Sequence, residues 1–149
     1  MKTCCITGRV TDEQALEIQN DIKKQILYLI GLGYTHFISG FDFGADLIFA
    51  GIVADLKTRY PITLEAAIPY PGRMKTPDKA FQNLIRLCDF VQIHSASYNR
   101  KCCMKRNHYM VDRSDTVIAV YDGSPRGGTA AALRYAVVKG RRVTVIQVP

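Results

Sequence analysis

Three short segments of this chain combine small residues with residues that bind anions: Thr7-Gly8-Arg9, Ser39-Gly40-Phe41-Asp42-Phe43-Gly44-Ala45-Asp46, and Asp122-Gly123-Ser124-Pro125-Arg126-Gly127-Gly128-Thr129. Gly127-Gly128-Thr129 directly precedes an alanine-rich helical pattern. Bare backbone N–H groups and a hydroxyl can there approach a phosphate oxygen while the helix dipole favours its charge. The same Gly-Gly pair also reads as a simple tight turn. Arg106-Asn107 adds a guanidinium able to hold two phosphate oxygens and an amide able to hydrogen-bond a base or ribose. Taken alone, Lys105-Arg106 reads first as a solvated basic helix face. Arg9 and Arg126 belong to loops where each faces either an anion or solvent, and Tyr121, beside Asp122-Gly123, is the tyrosine best placed to stack on a base.

Other chemistries find less support. Neither a Gly-x-Gly-x-x-Gly fingerprint nor a Walker lysine is present, which argues against a standard dinucleotide enzyme and a P-loop NTPase. The five cysteines fall as Cys4-Cys5, Cys88 and Cys102-Cys103, without a Cys-x-x-Cys pair or zinc-type Cys/His spacing, so they read as reduced packing residues and no metal is implied. His94 and His108 have no sequence relation to a cysteine that suggests a nucleophile–base pair.

These residues must be positioned by elements, and the chain alternates short β-type runs with helical patterns. Strands are predicted near 2–7, 35–39, 63–68, 90–94, 116–121 and 142–148. Between them lie a helix opened by a Thr11-x-x-Gln14 capping box and carrying Ile18, Ile22 and Ile26, and a helix over 45–59. A third, carrying Phe81, Leu84, Ile85 and Cys88, is expected to be capped by Thr76 with Pro77 in its first turn. Two more are expected near 102–111 and over 129–139. Such alternation predicts an α/β fold of three layers, Rossmann-like, with a mostly parallel sheet. In that architecture ligands sit beyond the carboxyl ends of the strands, so Gly8, Arg9, Ser39, Gly40, Asp42, Gly44, Arg106, Asn107, Asp122, Gly127, Gly128 and Thr129 are expected around one cleft.

The bulk properties fit this picture. At 149 residues with 48% hydrophobic and 22% charged side chains, one domain with one core is expected, and collagen-like, low-complexity and disordered classes are excluded. The longest apolar stretches, near 26–30 and 47–54, are far shorter than the roughly 20 residues that span a bilayer, and no signal peptide is apparent, so a cytoplasmic protein without membrane contact is expected. Residues 1–98 hold ten Lys/Arg and ten Asp/Glu, whereas residues 99–149 hold ten Lys/Arg and three Asp/Glu. The whole excess of +7 therefore lies in the last third, which favours an anionic partner or a merely solvated basic surface.

In order and spacing, Cys5-Ile6-Thr7-Gly8-Arg9, the loop from Ser39 to Asp46, Arg106-Asn107 with Ser114-Asp115, and Gly127-Gly128-Thr129 followed by Ala136 and Gly140-Arg141 resemble the SLOG superfamily of Rossmann-like nucleotide-binding domains. The resemblance is to its small YpsA/YoqJ-like, DprA-like branch and covers nearly the whole chain. It implies the same fold, and it turns Arg106 and Asn107 into ligand-binding candidates. It also implies a nucleotide-derived partner: a nucleotide or ADP-ribose-like phosphorylated small molecule, held by a sensor, sequestering or carrier module, with no cofactor.

The departures bear on catalysis. Lonely-guy phosphoribohydrolases, which cleave nucleotide N-glycosidic bonds, carry a glutamate shortly after the Gly-Gly-x-Gly-Thr turn, and here Thr129 leads into Ala130-Ala131-Ala132-Leu133-Arg134. Activating water or stabilising an oxocarbenium-like transition state calls for a carboxylate. Efficient catalysis is therefore not expected, and no catalytic residue is named. Single-stranded nucleic-acid binding, as in DNA-processing protein A, is the runner-up because of the basic last third. Hydrolysis with Asp42, Asp46 or Asp122 replacing the glutamate comes after it. A homo-oligomer is compatible with all three readings.

Overall fold

The computed structural model describes residues 2–148. Six strands, β1 (Lys2–Gly8), β2 (Tyr34–Ser39), β3 (Thr63–Ile68), β4 (Phe90–Ile93), β5 (Thr116–Tyr121) and β6 (Arg142–Gln147), alternate with α1 (Asp12–Gly31), α2 (Ala45–Leu56), α3 (Lys79–Ile85), α4 (Cys102–Arg113) and α5 (Gly128–Val138). All strand pairs are parallel, in the order β4-β3-β2-β1-β5-β6. The three-layer α/β expectation is met, and strand order reverses between β1 and β5, where a sheet of this kind opens a crevice.

The two-residue period of the strands divides the core. Cys4, Ile6, Phe37, Ala66, Ile68 and Ile118 face the layer of α1, α2 and α3, where Ile18, Ile22, Ile26, Phe49, Val53 and Phe81 are buried. Their immediate neighbours Cys5, Ile38, Ala67 and Val117 face the other layer, against Met110 and Val111 of α4 and Ala136 of α5. The cysteines of both layers are free thiols, and burial raises the pKa of Cys4 well above its ordinary value and that of Cys5 to about 12.

Local signals set the element ends. The expected capping box forms: Thr11 Oγ1 accepts from the Gln14 N–H while Gln14 Oε1 accepts from the Thr11 N–H. Helix α2 stops at Leu56, short of the expected Arg59, and Lys57 caps it. The cap of α3 is Asp78, whose carboxylate accepts from the Phe81 N–H at 2.8 Å, so the expected Thr76 cap is replaced by a better acceptor nearer the first turn. Thr76 instead closes a 3-10 turn, Pro71–Lys75, that the sequence pattern did not reveal.

Phe49 tests the core assignment, because it is fully buried and packs its ring against Phe37, 6.1 Å between centroids. Phe49→Ala is expected to lower unfolding stability by about 3–5 kcal/mol in urea titration.

Candidate functional site

The carboxyl ends of the strands surround a cavity of about 590 Å³, open to solvent and walled by the turn after β1, the loop after β2, the 3-10 turn after β3, α4 and the start of α5. A smaller cavity of about 200 Å³ adjoins it and shares Arg9, Gly128 and Thr129. Of the residues expected at the cleft, Gly8, Arg9, Asp42, Arg106, Asn107, Gly128 and Thr129 line the larger cavity. Asp122 and Gly127 line the smaller one, and Ser39, Gly40 and Gly44 line neither.

Each loop has a physical reason for its shape. Gly8 ends β1 with φ +142° so close to β5 that an added Cβ would lie 2.4 Å from the Val120 carbonyl oxygen. Only glycine lets the chain leave β1 there and turn out into Arg9. The Arg9 side chain is exposed and has no hydrogen-bond or ion-pair partner among the described residues. Helix α5 begins after Gly127, at φ +100°, with no side chain capping it and no acidic residue in its first turn. Its first N–H groups therefore point unpaired toward the cavities, with Thr129 beside them. In the smaller cavity Asp122 is engaged in its own loop, accepting from the Ser124 N–H at 2.8 Å, and the Tyr121 hydroxyl donates to the Ser124 carbonyl.

Arg106 occupies a different position from the exposed basic face or the free anion ligand read in sequence. It is 1% exposed, the bulkiest of the fully buried side chains. Nη1 donates to the carbonyls of Gly40 (2.5 Å) and Ala67 (3.1 Å), Nη2 to Asp42 Oδ2 (3.0 Å), and Nε to Asn107 Oδ1 (2.8 Å). Four of the five donors of a guanidinium are thereby committed within the protein. Asp42 uses its other oxygen on Arg73, which approaches from the 3-10 turn at 2.5 Å. Gly40 is fixed by the same cluster: an added Cβ would fall 2.7 Å from Arg106 Nη1 and 2.8 Å from Asp46 Oδ2. Ser39, fully buried, shapes the loop from beneath, its Oγ donating to the Asp46 carbonyl and accepting from the Phe41 N–H.

Asp46 lies in the first turn of α2, 5% exposed, on the wall of the larger cavity. Its Oδ2 accepts from the Asp42 N–H at 3.2 Å. Burial, reinforced by the neighbouring Asp42 charge and opposed by Arg106, pushes its pKa up to about 7. The helix dipole alone would have pulled it the other way. The cavity thus holds a carboxyl group whose pKa is raised from the usual carboxylate range to about 7, a property suited to proton exchange with a ligand. Arg73, Phe43, Cys103 and Met110 complete the wall and were not expected there. Phe43 is 60% exposed and offers a ring face at this cavity, whereas Tyr98 packs on Tyr70 and Tyr109 bonds to Glu65. Burial raises the Cys103 thiol above its ordinary pKa, so it is a weak nucleophile.

Two measurements follow from this arrangement. Arg106→Ala leaves the Gly40 and Ala67 carbonyls without donors, and a loss of about 3 kcal/mol or more in unfolding stability is expected, unrescued by Arg106→Lys because an ammonium lacks the fork. Asp46 titrates near 7 when folded and near about 4 when unfolded, so the native state holds the extra proton between those values. Stability from this group is full at low pH and is lost as pH rises through about 7; Asp46→Asn is expected to flatten that decline in urea midpoints measured from about pH 4 to 8.

Among proteins of known sequence, a UPF0398 protein of Halalkalibacterium halodurans is 28% identical over 152 residues, covering 91% of this chain and 80% of its own length. A UPF0398 protein of Listeria monocytogenes is 26% identical over 145 residues, 85% and 80% of the two chains. Among solved structures, DNA processing protein A from Helicobacter pylori, described by its single-stranded DNA binding mode, superposes with TM-score 0.71 at 15% identity over 99% of this chain and 66% of its own. The molybdenum cofactor carrier protein of Chlamydomonas reinhardtii gives TM-score 0.62 at 15% identity over 97% and 75%. At these identities the structural likeness establishes the fold. The family model described as the YspA SLOG family matches residues 9–148, and on that match the chain belongs to the YpsA branch of the SLOG family.

Proposed function

We propose that this protein binds a phosphorylated nucleoside derivative, of the nucleotide or ADP-ribose type, and senses, sequesters or carries it without rapid turnover. The observation that carries this reading is the uncapped N-terminus of α5 facing the unpartnered Arg9 across the junction of the two cavities. Backbone N–H groups, a helix dipole and a free guanidinium on one spot are complementary to a phosphate. The larger cavity offers Phe43 for a base and the Asn107 amide for a ribose or base edge. Arg106 supports the site as a buried brace, and one Nη2 hydrogen is all it has left to offer.

Slow turnover rests on the carboxylates. No glutamate follows Gly128-Thr129, Asp42 is held between two arginines, and Asp122 is tied into its loop. Asp46 is the aspartate whose protonation suits acid chemistry, so any residual hydrolysis is assigned to it ahead of Asp42 and Asp122. The basic surface of the last third, with Arg100, Lys101, Lys105, Arg113, Arg126 and Arg142 exposed, favours single-stranded nucleic acid as the second reading. Among the described residues no helix is long and apolar enough to cross a membrane.

Calorimetric titration with AMP, ADP-ribose and a short single-stranded oligonucleotide tests both. Small-molecule binding is expected, weakened about 10- to 150-fold by Arg9→Ala, the range given by loss of one charge-assisted contact. Gly128→Asp is expected to abolish it without loss of stability, because the added side chain meets open space and suits the helix dipole while repelling an anion. Salt-sensitive binding of the oligonucleotide alone overturns the first reading in favour of the second. Rapid release of free base, followed by chromatography, overturns the absence of turnover, and its loss in Asp46→Asn would identify the acid.

A further inference from the structure

We infer that the free edge of β4 is a pairing surface between two copies of this chain. A sheet of six strands has two edges, and only one of them is guarded. Strand β6 opens on Arg142, next to Arg141, and charge at an edge discourages strand addition. Strand β4 reads Phe-Val-Gln-Ile, with neither charge nor proline, and pairs with β3 in unbroken register. All four of its residues are exposed. Phe90 (51%), Val91 (39%) and Ile93 (46%) are all exposed, and Leu87 and Tyr98, on either side of the strand in sequence, are exposed as well.

The layer structure explains why this edge is open. Helices α1, α2 and α3 cover one face of the sheet, but α4 and α5 alone serve the other, and α4 reaches only as far as β3, which leaves β4 open on that face. A groove of about 500 Å³ remains there, lined by His36, Glu65, Phe90, Gln92, Tyr109 and Arg113 among others. His36 and Glu65 at its floor are already bonded to each other at 2.7 Å and Arg113 lies over the Tyr109 ring, so the strand side of the groove presents the Phe90 ring and the Gln92 amide to an incoming chain.

Charge selects the occupant. The chain carries +7 overall, yet residues 87–98 contain a single ionisable acid, Asp89, and it is neutralised by Lys57 at 2.7 Å. A charged partner has nothing to read on this strand. A second copy brings the same neutral apolar edge, and a two-fold axis meets no like-charge opposition along the seam. The His94 N–H donates inward to the Ile68 carbonyl, and in the parallel register Phe90 and Gln92 share that side. Val91 and Ile93 turn their backbone groups outward, where antiparallel pairing about Gln92 would satisfy them reciprocally across the axis. The strand is short, which limits the ladder and makes the association weak and concentration-dependent.

Sedimentation velocity of the full chain at about 5–500 µM tests this, with a reversible dimer expected to dissociate on the order of 10–100 µM. Val91→Lys and Ile93→Pro are each expected to weaken dimerisation at least about ten-fold. Proline at position 93 removes an outward N–H and leaves the bonds to β3 in place, so circular dichroism and the urea midpoint should match wild type and separate a lost interface from a lost fold. Val145→Lys, on the opposite edge, should change nothing. A wild-type monomer throughout that range, a dimer indifferent to both β4 substitutions, or one broken by Val145→Lys instead, overturns the inference.

Discussion

The structure at the carboxyl edge depends on one buried cation. A guanidinium removed from water must have nearly all its donors satisfied, and Arg106 achieves this by drawing on separate parts of the chain: the end of β2 through Gly40, the end of β3 through Ala67, the β2–α2 loop through Asp42, and its own helix through Asn107. Those partners cannot move independently. The clamp holds α4 to the sheet at its crossover from one half to the other, and it fixes the wall of the cavity at the same time. Because Asp42 is shared with Arg73, the 3-10 turn after β3 is tied into the same unit.

That clamp also determines the electrostatics beside it. Asp42 answers two arginines, so its neighbour Asp46 receives their opposing charge only in part while feeling the full proximity of another carboxylate and the loss of water. Its raised affinity for a proton is a consequence of rank: the half-buried carboxylate takes the cations, and the fully buried one is left to hold a proton more tightly. The cavity therefore contains a fixed guanidinium in its wall, a free one at its mouth, and a carboxyl able to take up or give a proton when an anion arrives.

Much of the fold was legible because each signal was local. The Thr11–Gln14 box, the spacing of Ile18, Ile22 and Ile26, and the runs at 63–68 and 116–121 each specify an element without help from elsewhere. Alternation of those elements then fixes which loops share an edge, which is why Gly8, Arg9, Gly128 and Thr129 meet at one cavity. What could not be read depended on distant neighbours. Arg73 lies in a 3-10 turn too short to leave a periodic pattern, although Pro71-Gly72 just after a strand marks a turn at the same edge. Arg106 beside Lys105 looks solvated, because the carbonyls that bury it come from residues 66 and 39 positions away. Asp46 looks like an ordinary first-turn acid for the same reason, and only the close approach of Gly40 and Arg106 shows otherwise.

The position of β1 has a consequence for how the chain comes into being. It precedes the other five strands in chain order, and it pairs with β2 as soon as residues 34–39 are available. Its other neighbour is β5, whose first residue is Thr116, so one flank of Cys4, Cys5, Ile6 and Thr7 stays unpaired while the residues between the two strands are made. A ribosome working at about 5–20 residues per second leaves that apolar margin open for several seconds at least. The half-molecule from β1 to β4 is built of near-neighbour contacts and can gather early. Closure onto β5 and β6 is the long-range step, and until it occurs the centre of the finished sheet is the edge of an unfinished one.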